Sequence, residues 1–137
     1  MFVGSFEDRM LIRERYGAYS DAVFRADVDA WLGNWVEDCV WRVFGTEHRG
    51  HRALRAQWES IWGTLKTMAF FAEIGAIEVD GDQASARCYT REILSLEAGG
   101  VPKVVGAYAD ELVRENGVWL FARRTYSVLI DESTRRR

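Results

Sequence analysis

Four long runs of strand-forming residues fill the second half of the chain: 68–79, 83–96, 101–114 and 118–130. They are divided only by Asp80-Gly81-Asp82, Ala98-Gly99-Gly100 and Glu115-Asn116-Gly117. Turns this short leave no room for a crossover, so consecutive runs must pair antiparallel. Runs of a dozen residues exceed the usual five or six, and strands of that length twist and curl. Alternation predicts that Gly106, Tyr108, Asp110 and Leu112 share one face, and that Ala107, Ala109, Glu111 and Val113 share the other.

The first half reads as helical. Ser5-Phe6-Glu7-Asp8 is a capping box, and Ile12, Tyr16, Tyr19 and Val23 follow as one apolar stripe that leaves Asp21 on the solvent side. Asp27 caps a second helix carrying Trp31, Leu32 and Trp35, which completes a helical hairpin. Residues 39–44 form a first strand, 46–50 a polar turn, and Leu54, Trp58, Ile61, Trp62 and Leu65 mark a third amphipathic helix. At 137 residues with one proline the chain is a single domain spanning 1–137, with 132–137 expected as a disordered tail. The expected fold is therefore α+β, a cone-shaped, strongly curved antiparallel or mixed sheet whose N-terminal helices close a hydrophobic cavity.

A net charge of −3 with scattered basic residues argues against a nucleic-acid partner. No stretch approaches the roughly 20 apolar residues that span a bilayer, and no leader is visible, so a cytoplasmic location is expected. Cys39 and Cys88 read as buried free thiols. Aromatic residues make up 13% of the chain, six of them Trp, which serves either a solid core or an aromatic-walled pocket.

Several phrases, in this order, resemble the SnoaL-like branch of the nuclear transport factor 2-like superfamily. They are Arg25-Ala26-Asp27-Val28-Asp29-Ala30-Trp31-Leu32, Trp35-Val36-Glu37-Asp38-Cys39-Val40-Trp41, Arg49-Gly50-His51-Arg52-Ala53-Leu54, Ile77-Glu78-Val79-Asp80-Gly81-Asp82, Gly106-Ala107-Tyr108-Ala109-Asp110 and Gly117-Val118-Trp119-Leu120-Phe121. The resemblance implies the cone fold. It leaves the activity open among polyketide cyclases, scytalone dehydratase, ketosteroid isomerase, dehydrochlorinases and the non-catalytic small subunit of ring-hydroxylating dioxygenases. Dehydratase-like members pair an Asp near the end of the first helix with a His on the second strand. The matching positions here are Phe24 and Ala69, so that pair is missing.

Asp110, sharing the inward face with Tyr108, is the candidate acid–base group. The other reading of it is a buried carboxylate held by a tyrosine or by the Arg123-Arg124 strand. Tyr108 and Tyr19 are candidate donors to a substrate oxygen. Tyr16, Trp41, Phe44, Met68, Phe70 and Tyr126 are the candidate ligand-contacting residues. Parity alone leaves open whether Trp41 or Arg42 faces inward.

No cofactor is expected, since phosphate loops and CxxC are lacking, and His48 and His51 have no partners to complete a metal set. The expected ligand is a small hydrophobic or aromatic molecule, with cofactor-free lyase or isomerase chemistry as one reading and passive binding or assembly as the other. Apolar residues on the outer sheet face, such as Ala107, Ala109, Val113 and Val128, lead to the expectation of a homodimer through the sheet.

Overall fold

The computed structural model describes residues 1–132; of the tail expected at 132–137, positions 133–137 lie outside the described residues. The elements run β1 (Phe2–Val3), α1 (Phe6–Phe24), α2 (Val28–Leu32), β2 (Trp35–Val43), β3 (Thr46–Arg49), α3 (Gly50–Trp62), β4 (Leu65–Asp80), β5 (Gln83–Leu96), β6 (Lys103–Glu115) and β7 (Val118–Asp131). They form a curved, unclosed sheet in the order β1-β4-β5-β6-β7-β2-β3.

Strands β4 to β7 form the expected antiparallel meander. The whole sheet is mixed, because β1 pairs parallel with β4 and β2 parallel with β7. Register shifts between Ile74 and Ile77, and on β6 between Val105 and Gly106 and between Glu111 and Leu112, bend the long strands, as β-bulges do. The two predicted caps are in place: Ser5 Oγ accepts from the Asp8 amide at 3.0 Å, and Asp27 Oδ1 accepts from the Ala30 amide at 3.0 Å.

Four local expectations need correction. The third helix ends at Trp62, and Leu65, expected on it, opens the strand expected from residue 68. The first long strand begins at Trp35 rather than Cys39, and it ends at Val43, which leaves Phe44 in a turn. Residues 46–50 are not a free turn: Thr46–Arg49 pair antiparallel with β2. Their polarity suits a short edge strand, where Arg42 and Arg49 both grip Glu47 (2.8 and 2.6 Å). The strand expected from Val101 starts at Lys103, after Pro102, which has no N–H to give a ladder.

The helices lie on the concave face, and the core between is largely aromatic. Trp31 sits at the centre, with ring centroids 4.7 Å from Trp58, 5.1 Å from Trp41 and 5.7 Å from Trp35. These tilted and edge-on contacts are the favoured geometry for aromatic pairs. Cys39 and Cys88 are buried and unbridged, and burial pushes the Cys39 thiol up to about 11. On the outer face Ala109 is exposed while Ala107 and Val113 are half-buried; Val128, expected there, pairs with Gly106 and so falls on the inner-face row of Arg124 and Tyr126, exposed near the end of β7.

Candidate functional site

A cavity of about 90 Å³ lies between the helices and the concave face. The helices give it an apolar wall of Val23, Trp31, Trp58, Ile61 and Trp62, and the sheet adds Trp41, Met68, Phe70 and Leu94. Phe44, 64% exposed, stands at its solvent side. Trp41 and not Arg42 faces inward: Trp41 is buried, while Arg42 is exposed and paired with Glu47. A cavity of roughly 150 Å³ is known to hold a benzene ring. At about 90 Å³ this cavity is smaller, so even one compact ring needs its walls to move apart.

Polar groups gather at one end. Tyr19, Tyr108, Tyr126 and Glu92 line the cavity there. Trp41 Nε1 donates to the Tyr108 hydroxyl oxygen at 3.1 Å, and the Tyr19 and Tyr108 hydroxyls lie close enough to influence each other's titration. Thr90 donates to Glu92 Oε2 at 3.1 Å. The buried Tyr126 hydroxyl is near enough to Glu92 to influence its titration, yet it is aligned for a hydrogen bond with neither Glu92 nor Thr90. Its ring lies directly over the Cα of Gly106, where any Cβ would collide with Cε1, Cζ and the hydroxyl, so only glycine permits this placement.

Burial raises the Glu92 carboxyl above its ordinary range, against the opposing effects of Tyr126, Thr90 and the Arg124 charge. Burial is also the main cause that raises the Tyr108 and Tyr19 hydroxyls, with the Arg124 charge opposing it in both. The result is one carboxyl able to hold or release a proton at higher pH than usual, beside neutral phenolic donors.

Behind this end lies a second cluster, sealed from solvent. Arg124 binds Asp110 in a forked pair, Nε to Oδ1 at 2.7 Å and Nη2 to Oδ2 at 3.0 Å. The Tyr16 hydroxyl donates to Asp110 Oδ2. The guanidinium lies 3.7 Å from the Tyr108 ring centroid and 4.5 Å from those of Tyr19 and Phe121, a cation–π cage. Burial opposes the charge on Arg124, but Asp110 and the tyrosines more than restore it and the side chain stays cationic.

The sequence candidates thus divide. Tyr19, Tyr108, Trp41, Phe44, Met68, Phe70 and Tyr126 line the cavity. Tyr16 and Asp110 do not: both sit behind the wall, and both oxygens of Asp110 are engaged by Arg124 and Tyr16. The carboxylate that does reach the cavity, Glu92, was missed. Its signal was strand parity, since it continues the inward row Ala84, Ala86, Cys88 and Thr90 along β5.

Phe24 is part-exposed with its ring 5.3 Å from that of Phe71, and Ala69 pairs with Ile93; neither lines the cavity. His51 Nε2 lies 3.1 Å from the Trp35 carbonyl oxygen. Among the described residues, no three His, Cys, Asp or Glu side chains gather as a metal-holding set, and no helix is long and apolar enough to cross a membrane.

Helices laid across the mouth of a bent meander, with an aromatic hollow between them, define the cone class that includes nuclear transport factor 2-like and cystatin-like folds. Within it, the chain belongs to the SnoaL-like domain family, whose model matches residues 5–125. Among solved structures it is similar to a proposed aromatic ring hydroxylase from Novosphingobium aromaticivorans, at 28% identity and a TM-score of 0.86, covering 93% of this chain and 92% of that one. It is also similar to a proposed scytalone dehydratase from the same organism, at 20% identity and a TM-score of 0.85 over 95% and 89% of the two chains. The hexachlorocyclohexane dehydrochlorinase LinA type 2 matches at 17% identity and a TM-score of 0.83 over 91% and 87%. No curated protein matches the chain.

Proposed function

We propose that the chain binds a small, mostly apolar cyclic molecule bearing one oxygen, and that it moves a proton on that molecule without a cofactor. The observation that supports this most is Glu92, the carboxyl that reaches an otherwise aromatic cavity and whose titration burial has raised. In this reading the ring lies against Trp58, Trp62 and Met68, and its oxygen accepts from Tyr108. The Glu92 carboxylate takes a proton from the carbon beside the carbonyl, the C–H electron pair becomes the new C=C bond as the carbonyl π pair moves onto the oxygen, and the enolate formed is held by the tyrosine. Return of the proton at another carbon completes an isomerisation, and departure of a β-leaving group completes an elimination. An aromatic or alicyclic ligand also agrees with the description of the 28%-identical neighbour as an aromatic ring hydroxylase.

The test is deuterium exchange from D2O into 2-cyclohexenone, followed by NMR. Glu92→Gln should slow the protein-dependent exchange by about 10²–10⁴-fold; an unchanged rate would remove Glu92 from this role. A second reading, passive binding or assembly, is favoured by Phe24 and Ala69 standing where dehydratase-like members carry Asp and His. Saturable binding of the ketone with no exchange above buffer would select it.

A further inference from the structure

The tip of the β2–β3 hairpin breaks a local rule. Between the paired Val43 and Thr46 stand only Phe44 and Gly45, with φ of 54° and 74°. Both lie in the left-handed region, the geometry of a two-residue hairpin turn that favours Asn-Gly. A bulky aromatic is an outlier there. Nor does burial repay the strain, because Phe44 is 64% exposed, and its edge-on partner is Tyr126, with ring centroids 6.4 Å apart.

A residue that is both strained and exposed, on a hairpin whose register is otherwise regular, marks a position shaped by something other than stability. Phe44 also lines the cavity, and Tyr126, which it touches, carries one of the cavity's polar groups. We infer that Phe44 is a specificity-determining residue: the strained turn holds its ring over the cavity mouth, where it limits the size of ring admitted. This rests on the reading of the cavity as a ligand site. It adds that the mouth, not only the walls, selects a single ring over a fused pair.

Phe44→Asn supplies the residue the turn favours and removes the cover; Phe44→Leu keeps an apolar cover with less bulk. Three quantities decide: Tm, the acrylamide quenching of tryptophan emission, and the ratio of dissociation constants for 1-naphthol and phenol measured by NMR titration. The Asn variant should melt higher, quench more readily, and bind 1-naphthol at least about tenfold better relative to phenol. The Leu variant should fall between it and the wild type. Unchanged quenching and an unchanged ratio in a folded Asn variant would overturn the proposal, as would a lowered Tm with both unchanged. If the wild type binds neither ring, the ligand-site reading fails by itself, and quenching alone then decides whether Phe44 covers the mouth.

Discussion

Replacing Asp110 by leucine deletes one half of an ion pair whose Asp110 and Arg124 side chains are 0% and 1% exposed. The guanidinium then keeps its charge among Tyr108, Tyr19 and Phe121 with no anion, and Nε and Nη2 join the already unpartnered Nη1. Breaking a buried pair by removing one partner costs about 3–5 kcal/mol, and the Tyr16 hydroxyl loses its acceptor as well. A whole domain is stable by only about 5–15 kcal/mol. At about 3–5 °C per kcal/mol for a chain of this size, Tm should fall by about 10–25 °C.

The double change Asp110→Leu with Arg124→Met removes both charges and the cost of burying them, so it should recover to within about 1 kcal/mol of the wild type. Urea melts followed by far-UV circular dichroism give both values. A single change costing under about 1 kcal/mol, or a double variant no better than the single, would refute the view that Asp110 is a sealed structural anchor tying β6 to β7 and to α1.

Two further perturbations probe the polar end. Gly106→Ala places a methyl where the Tyr126 ring now lies, so the ring should swing off the sheet into the cavity; stability falls by about 1–3 kcal/mol and phenol binding is lost, as calorimetry would show. Since burial raises the folded-state pKa of Glu92 above its unfolded value, the extra proton stabilises the fold below the unfolded pKa, and that stability is lost as pH rises through the folded pKa. Glu92→Gln escapes the loss, so its Tm advantage over the wild type should grow between about pH 4 and pH 8; a constant or shrinking gap would contradict the shift.

Much of the fold was legible because its signals are local. Short turns fixed the antiparallel meander, caps at Ser5 and Asp27 fixed the helix starts, and alternation placed Tyr108 and Asp110 on the inner face. The short β1 and β3 were not legible, since Phe2–Val3 and Thr46–Arg49 owe their strand form to pairing with β4 and β2, a tertiary effect that no local pattern carries. The site was legible as a set of inward residues but not as an arrangement. Inner-face parity treats Asp110 and Glu92 alike. What separates them is depth: Asp110 lies opposite Arg124 in the β6–β7 register and is consumed by it, while Glu92 falls near the end of β5 where the cavity begins.

A structure of the chain with 2-cyclohexenone bound tests the site most directly. The ring should lie between Trp58, Trp62 and Met68, with the carbonyl oxygen within about 3 Å of the Tyr108 hydroxyl and the adjacent carbon facing the Glu92 carboxyl. A ketone seated elsewhere on the molecule, or one in the cavity with its oxygen turned away from Tyr108 and Glu92, would contradict that placement.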